Sequence, residues 1–324
     1  MLGRRLWAVL AGLVLVALLA LLRLADPLPV TAIRDIGFDF EQRLLPRPAD
    51  QSPVRVVDID EASLATYGQW PWPRTLLATL TDRLTELGAA VVGFDVLFPE
   101  PDRMSPDNDT AFAGALFKGN AVLGFSLAPN APPLGIDPKG GTAVSGTDPT
   151  PSLPPIHGAV APLKQLADAA SGLGSLSLDA GDSAGVVREV PLLWTENGRF
   201  YPGLSIEALR LALGEKTIVA LGDTRGDGTL ESLRIGGLSV PTTPDGSLVL
   251  YDKLPDPREI ISAAALLGDG YADLSGQVAG RIVLIGTSAA GLLDIHSTPL
   301  VANLAGVRIH AEVIDQIQAQ KFLT

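Results

Sequence analysis

The sequence predicts an α/β protein with a mixed, largely parallel sheet flanked by helices, preceded by an N-terminal transmembrane helix. Two observations predict it. Short apolar runs of strand length alternate with amphipathic helical segments, and this order typically builds a parallel sheet with helices on its faces. The chain also begins with an uninterrupted apolar run from Leu6 to Leu22.

The apolar run predicts a membrane span over residues 6–24. A helix of this length nearly crosses a hydrocarbon core of about 30 Å. Arg4 and Arg5 precede the run, so residues 1–5 should stay in the cytoplasm and residues 25–324 should be extracytoplasmic. The alternative is a cleaved signal peptide, which usually has a shorter apolar core and an A-x-A-like cleavage site. Either way, we expect the bulk of the chain outside the inner membrane, in the periplasm.

Composition excludes several classes of function. The net charge of −12 does not attract phosphate backbones, so we expect no nucleic-acid partner. The chain has no cysteine, which excludes thiolate metal sites and thiol redox chemistry. The three histidines lack zinc-type spacing, and in the calcium-like segment 223–228 Arg225 occupies a ligand position. We therefore predict no metal ion and no cofactor.

Periodicity and turn signals place the elements of the first half in order. The predicted helices and strands are a juxtamembrane helix over Thr31–Leu45, a strand over Val54–Ile59, a helix opened by Pro73 and ended at Gly88, a strand over Ala89–Phe94, a helix over Asp109–Phe117 with Asp109 as its N-cap, and a strand over Ala121–Leu127.

The second half opens with a segment of different composition. Residues 129–158 hold eight prolines and five glycines, which indicates an irregular surface insertion rather than a domain boundary. The elements predicted after it are an antiparallel pair within Gly174–Trp194 that turns at Ala180–Asp182, a hairpin turn at Asn197-Gly198, a helix over Leu204–Leu213, two or three short strands within Leu233–Tyr251, a buried strand over Ile282–Ile285 and a last helix over Val307–Phe322. That helix has no stop signal, so we expect the natural chain to continue.

A series of motifs, taken together, resembles a known family. The motifs are Val56–Asp60 with Ser63, Gly68–Arg74, Gly93–Phe98, Gly185–Arg188 with Pro191-Leu192, Tyr201–Leu204, Ile261–Ala264, Gly280–Gly286 and Gly306–Ala311. They cover about residues 33 to 323, and their order is similar to that of the type-two CHASE domain of bacterial membrane-bound cyclases and kinases. The chain departs from that pattern at Ala184, where an acidic residue is usual, and in its proline-rich insertion.

The resemblance implies an extracytoplasmic sensory domain between membrane helices, followed by a cytoplasmic effector. The effector it implies is an adenylate cyclase or a protein kinase, absent from this chain, so the chain itself is not expected to be an enzyme. We expect a homodimer in which the first and last helices, or their continuations in the membrane, repack between subunits. The apolar face of the last helix, formed by Ile309, Val313 and Ile317, is the candidate for this contact, provided that it is not buried within one subunit. Cysteines introduced at Gln316 and Gln320, which we expect to be exposed, should then cross-link the subunits.

Polar residues at strand ends form the first candidate ligand site. Ligands of open parallel sheets bind at the carboxyl ends of strands, and Asp60, Asp95 and the pair Thr287-Ser288 follow three predicted strands. These side chains should converge on one crevice that takes an extracytoplasmic ligand. The alternative for Asp60 and Ser288 is helix N-capping, for which both residue types are well suited.

The segment Trp70–Arg74 is the second candidate, with Trp72 and Arg74 as ligand-binding residues. Aromatic rings and a guanidinium can grip a ligand. The alternative is a rigid turn that covers the core edge, with Arg74 paired to Asp58 or Asp60.

A hydrolase is the main competing class. The segment Gly286–Ala290 approximates the G-x-S-x-G motif that carries a nucleophilic serine, and Asp294 with His296 or His310 follows in hydrolase order. Ala290 replaces the second glycine, and Asp294 lies too close to Ser288 to come from a separate later strand. A passive dimerisation domain is the third possibility.

Overall fold

The computed structural model describes residues 7, 9–17, 20, 27–48, 52–178, 185–289 and 294–323. It divides into two compact units, Met1–Pro46 and Arg47–Thr324. Within the predicted span, residues 7, 9–17 and 20 are helical, and the other residues of 6–24 lie outside the described part. Among the described residues, the structure contains no helix of the length and apolarity that a bilayer crossing requires.

The first unit contains the predicted juxtamembrane helix, α1 (Leu28–Leu44). It begins three residues earlier than predicted because Pro27 and Pro29 occupy the N-cap and first turn, where a missing N–H costs nothing. An apolar stripe of Ile33, Ile36, Phe40 and Leu44 lies along one face, and these side chains are between 59% and 71% exposed.

The second unit holds the α/β domain. Its α-helices are α2 (Glu61–Tyr67), α3 (Arg74–Glu86), α4 (Pro106–Lys118), α5 (Lys164–Ala169), α6 (Leu204–Ala212), α7 (Ala263–Leu267), α8 (Ser275–Val278) and α9 (Gly306–Ala319). Its strands are β1 (Val54–Ile59), β2 (Val91–Phe94), β3 (Ala121–Leu127), β4 (Gly141–Ser145), β5 (Ala159–Val160), β6 (Gly172–Ser175), β7 (Glu189–Pro191), β8 (Leu193–Glu196), β9 (Arg199–Pro202), β10 (Thr217–Gly222), β11 (Leu230–Ile235), β12 (Leu238–Pro241), β13 (Ser247–Val249), β14 (Ile260–Ser262), β15 (Ile282–Thr287), β16 (Ile295–His296) and β17 (Leu304–Ala305).

The main sheet confirms the largely parallel arrangement. Its order is β14-β1-β15-β2-β3, with β6 parallel and β5 antiparallel to β3. Successive side chains of a strand face opposite sides of a sheet, so Val56 and Val57 enter two different apolar cores. One core is closed by α3, α4 and α7, the other by α6 and α9. The domain is therefore a three-layer arrangement, and the strands that carry the candidate site lie at its centre.

The proline-rich insertion is not wholly irregular. Its strand β4 pairs in parallel with β10 and joins a second sheet, ordered β12-β11-β10-β4. Leu134, Leu153 and Ile156 of the same segment are buried. The prediction of an irregular segment failed because β4 finds its partner about 75 residues later in the chain, and no local pattern encodes that pairing.

Three further predictions need correction. Strand β6 is parallel to β3 and not part of an antiparallel pair within Gly174–Trp194; the predicted turn at Ala180–Asp182 lies outside the described residues. Ser105, not Asp109, caps α4, because its hydroxyl accepts from the Asp107 amide, and Asp109 is buried in the first turn. The last helix was predicted to extend to Phe322, but it ends at Ala319, because Gln320 adopts a left-handed conformation with φ of 51°.

Two predictions at turns and helices are confirmed. Asn197 and Gly198 both have positive φ and join the antiparallel strands β8 and β9, as expected of a two-residue hairpin. Helix α6 occupies the predicted segment to within one residue.

Candidate functional site

Three adjacent parallel strands bring Asp95 and Thr287 together at one edge of the sheet. Ile59 pairs with Thr287 between β1 and β15, and Ile285 pairs with Phe94 between β15 and β2. The amide of Asp95 then donates to Ile285 O at 2.8 Å. A cavity of about 320 Å³ opens here, lined by Trp70, Asp95, Leu97, Ser126, Thr287 and Asp294. The strand ends thus form a pocket of the size that small organic ligands occupy.

Two carboxyl groups, Asp95 and Asp294, meet at the wall of this cavity, which we call the strand-end cavity. Both residues line it, and the charge of Asp294 acts on the ionisation of Asp95. Asp95 reaches solvent through the cavity but is otherwise enclosed by protein, and this burial, with the neighbouring charge of Asp294, raises the pKa of Asp95 well above its ordinary value. Burial opposes ionisation of Asp294 too, but its bond to His296 and the charge of that ring lower the pKa of Asp294. Asp294 is therefore the first of the two carboxyl groups to ionise as pH rises, and Asp95 keeps its proton to higher pH.

Two histidines flank Asp294. His296 Nε2 lies 2.9 Å from Asp294 Oδ1, and His296 is partly exposed. His310 is buried in α9, with Nε2 at 3.3 Å from Leu176 O. Burial lowers the pKa of His310 to about 4, so its ring is neutral near pH 7, Nε2 carries the proton and donates, and Nδ1 has no hydrogen-bond partner among the described residues.

Asp60 does not line the strand-end cavity, and its capping interpretation is confirmed. Its Oδ1 accepts from the Ser63 amide at 2.8 Å, from Ser63 Oγ at 2.6 Å and from Ser262 Oγ at 3.0 Å. Although burial opposes ionisation, these bonds from Ser63 and Ser262 lower the pKa of Asp60. The prediction that Asp60 shares a crevice with Asp95 was wrong because its side chain serves the first turn of α2 instead.

Ser288 is exposed and is held by Asp58. Its hydroxyl donates to Asp58 Oδ2 at 2.6 Å and its amide to Asp58 Oδ1 at 2.9 Å. A nucleophilic serine needs a base such as histidine within hydrogen-bond reach. Here the described partner of the hydroxyl is a carboxylate, while Asp294 binds His296 and His310 binds a carbonyl. Ala290 lies outside the described residues, as does any helix start that Ser288 was expected to cap.

Trp72 and Arg74 line a second cavity, of about 480 Å³, together with Trp70, Leu97, Glu100 and Met104. Trp72 is buried, and its Nε1 donates to Gly68 O at 2.8 Å, as a rigid turn requires. Arg74 pairs with Asp109 at 3.4 Å and lies over the Phe98 ring at 4.6 Å, so its predicted pairing with Asp58 or Asp60 was wrong. Trp70 and Leu97 line both cavities, which makes them neighbours.

Comparison with protein families decides the relationship of this chain. The model of the CHASE2 domain matches residues 11–324, nearly the whole length. The chain belongs to the CHASE2 family. CHASE2 is an extracellular sensory domain family, consistent with a sensor role. Comparisons with curated proteins and with solved structures gave no match.

Asp294 is the residue of the strand-end cavity that sequence reasoning missed as a neighbour of Asp95. No spacing rule links the two, since they lie about 200 residues apart. One local signal points to it: Gly306 packs against Asp294 so closely that an added Cβ would lie 2.2 Å from Asp294 Oδ2. The backbone of Gly306 also donates to Asp294 O at 3.1 Å. The glycine in Gly306–Ala311 thus makes room for this carboxylate. Among the described residues no group of three or more His, Asp or Glu side chains is arranged to hold a metal ion.

Proposed function

We propose that residues 25–324 form the extracytoplasmic sensory domain of a bacterial transmembrane receptor, tethered to the inner membrane by residues 6–24. The effector would be a C-terminal cytoplasmic adenylate cyclase or protein kinase. Family membership supports a sensor. The observation that carries the proposal is the strand-end cavity, since it lies where open parallel sheets bind ligands and is lined by two acidic residues, Asp95 and Asp294.

Binding, rather than hydrolysis, is the activity that this geometry favours. The hydroxyl of Ser288 donates to Asp58, and the rings of His296 and His310 contact Asp294 and Leu176 O instead. The polar groups of the cavity belong instead to Asp95, Ser126, Thr287 and Asp294. This set suits recognition of a polar ligand.

The orientation of the chain is the first part of the proposal to test. Arg4 and Arg5 keep the N-terminus inside, so everything after residue 24 should be exported. Alkaline phosphatase and a cytoplasm-active reporter, each fused after Thr324, measure this placement. The proposal requires phosphatase activity and an inactive cytoplasmic reporter, and the reverse pattern contradicts it.

A dimer is the element through which we propose that the stimulus acts. A ligand shifts a receptor only if it binds two arrangements differently. Ile309, Val313 and Ile317 of α9 are fully buried within their own unit, so that face does not repack between subunits. The exposed stripe Ile33, Ile36, Phe40 and Leu44 of α1 has the three- and four-residue spacing of a helix–helix seam. We therefore place the proposed subunit contact on α1.

Cysteine cross-linking tests this contact without background, since the chain has no native cysteine. Ile36→Cys lies on the stripe of α1, and the exposed Arg34 lies off it, which makes Arg34→Cys the control. In full-length receptor in membranes, Ile36→Cys should cross-link between subunits much more strongly than Arg34→Cys. Equal yields, or a monomer by light scattering with no cross-link, contradict a dimer through α1.

A further inference from the structure

The strand-end cavity has a specific chemical character. One wall carries the carboxyl groups of Asp95 and Asp294, and the hydroxyl-bearing residues Ser126 and Thr287 lie alongside. The indole of Trp70 and the side chain of Leu97 continue from this cavity into the second one, whose lining is richer in apolar atoms. The strand-end cavity therefore has an acidic wall with an indole and an aliphatic side chain beside it.

Asp95 and Asp294 line the same cavity, so the charge of each carboxyl group acts on the other. Two ionised carboxylates on one cavity wall repel each other when they are shielded from water, and this repulsion, together with the burial of Asp95, favours one shared proton and one negative charge for the pair on its own. A cation that donates hydrogen bonds to both groups replaces this proton and leaves both carboxylates ionised.

From this arrangement we propose that the cavity binds a small organic ammonium ion. Its N–H groups donate to Asp95 and Asp294, its charge displaces the shared proton, and its apolar body lies along Trp70 and Leu97. The inference rests on the proposed sensory function and names the class of its ligand.

Charge and shape both select this class over others. An anion would meet the negative charge of Asp294, and a neutral alcohol would leave the carboxyl pair with its proton. A space of about 320 Å³ suits an organic molecule of several heavy atoms rather than a bare ion. The face of an indole attracts an ammonium group, and its ring also covers alkyl groups.

The ionisable groups around the site set its pH dependence. Asp95 is faced by Asp294, and Asp294 is faced by Asp95, by His296 at 2.9 Å and by the buried His310. His310 is neutral near pH 7, so the ligand competes with the shared proton and, when the His296 ring is protonated, with the charge of that ring. Binding of the ammonium ion should therefore strengthen as pH rises and should release a proton.

Calorimetry with n-butylammonium as the probe tests the inference on the full chain in detergent. n-Butanol and butyrate have the same chain length and serve as neutral and anionic controls. We expect saturable binding of butylammonium alone. Titrations in two buffers of different ionisation enthalpy should show release of about one proton per ligand bound.

Three variants separate site binding from general charge attraction. Asp95→Asn resembles the protonated carboxyl in shape and charge, so it should fold normally and release no proton on binding. The double variant Asp95→Asn with Asp294→Asn should bind at least tenfold more weakly than wild type. Asp269→Asn removes an exposed acid elsewhere and should bind as wild type does.

Several results overturn the inference. They are no saturable binding of butylammonium, equal binding of butyrate or butanol, unchanged affinity in the double variant, or binding by wild type without proton release. The proposed function is tested separately through the output of the receptor. If substitutions in this cavity change the output but butylammonium does not bind, only the ligand class is wrong. If butylammonium binds but substitutions in the cavity leave the output unchanged, the sensory role is wrong.

Discussion

Buried ionisable side chains in this CHASE2 domain are held in different charge states by their immediate neighbours. Asp102 accepts from the amides of Arg74, Met104 and Ser105 and from the side chain of Asn108. Burial opposes its ionisation, but these four bonds outweigh it and lower the pKa of Asp102 to about 2. His310 and Glu312 show the opposite balance, because burial wins and favours their neutral forms.

Asp102→Ala should lower the free energy of unfolding by about 2 to 4 kcal/mol, because three backbone amides and one side-chain amide lose a charged acceptor. Since the folded pKa is depressed, the stabilisation is present above about pH 4 and is lost as pH falls toward 2. Urea unfolding of the two proteins at pH 7 and pH 3 measures both effects. Asp107→Ala, at an exposed position of α4, is the matched control and should change little.

His310 should make the free energy of unfolding of the domain decrease in acid. Its folded pKa of about 4 lies below its ordinary value of 6.5, so the unfolded chain binds a proton that the folded chain does not. This residue's contribution should fall as pH drops from about 6.5 to 4. His310→Gln should reduce the slope of the free energy of unfolding against pH, as measured by urea titrations at pH 4, 5, 6 and 7. An unchanged slope contradicts the buried neutral ring.

Glu312 should act in the opposite direction. Burial raises its pKa to about 7 from 4.5, although the charges of Arg47, whose guanidinium contacts its carboxyl group, and of Lys253 favour the ionised form. The folded chain then holds a proton that the unfolded chain has lost, so this contribution should decrease as pH rises from about 4.5 to 7. Glu312→Gln keeps the neutral shape and should make stability rise more steeply over that interval than in wild type. A shallower rise contradicts the assigned pKa direction.

Helices and strands with strong local signals were predicted from the sequence, whereas those defined by distant partners were not. Strands β1 and β3 have the predicted bounds, because apolar runs bounded by turn residues are enough to define them. Strand β4 was missed, since its partner β10 lies far along the chain. On α9 the apolar face was predicted, but the burial of the polar Gln316 beside it was not. That burial rules out Gln316 as the exposed cross-linking position expected from the sequence.

Gln316 anchors α9 to the segment after β13. Its side chain accepts from the Tyr251 amide at 2.9 Å and donates to Val249 O at 3.0 Å, and it is fully buried. Gln316→Ala should cost about 2 to 3 kcal/mol of unfolding free energy, because two buried backbone groups lose their partner. Gln320→Ala, exposed at the end of the same helix, should cost well under 1 kcal/mol. Comparable losses for the two variants contradict this role of Gln316.

Across the folded domain, the candidate site is assembled from residues that are remote in sequence. The convergence of Asp95 and Thr287 was predicted, because parallel strands end at a common edge. Asp60 was wrongly included, since a short polar side chain after a strand can cap the next helix instead. Asp294 and Trp70 come from loops whose approach to that edge depends on packing, and no periodicity encodes it. The fold class was therefore accessible from the sequence, and only half of the site was.

The output of the full-length receptor tests the central claim most directly. Adenylate cyclase or kinase activity is measured in membranes across a range of growth media for three proteins: wild type, Asp269→Asn, and Asp95→Asn combined with Asp294→Asn. A sensory role for the strand-end cavity predicts that wild type and Asp269→Asn vary their output in parallel, while the double variant folds, reaches the membrane and stays at one level. A double variant that follows wild type through every condition would contradict it.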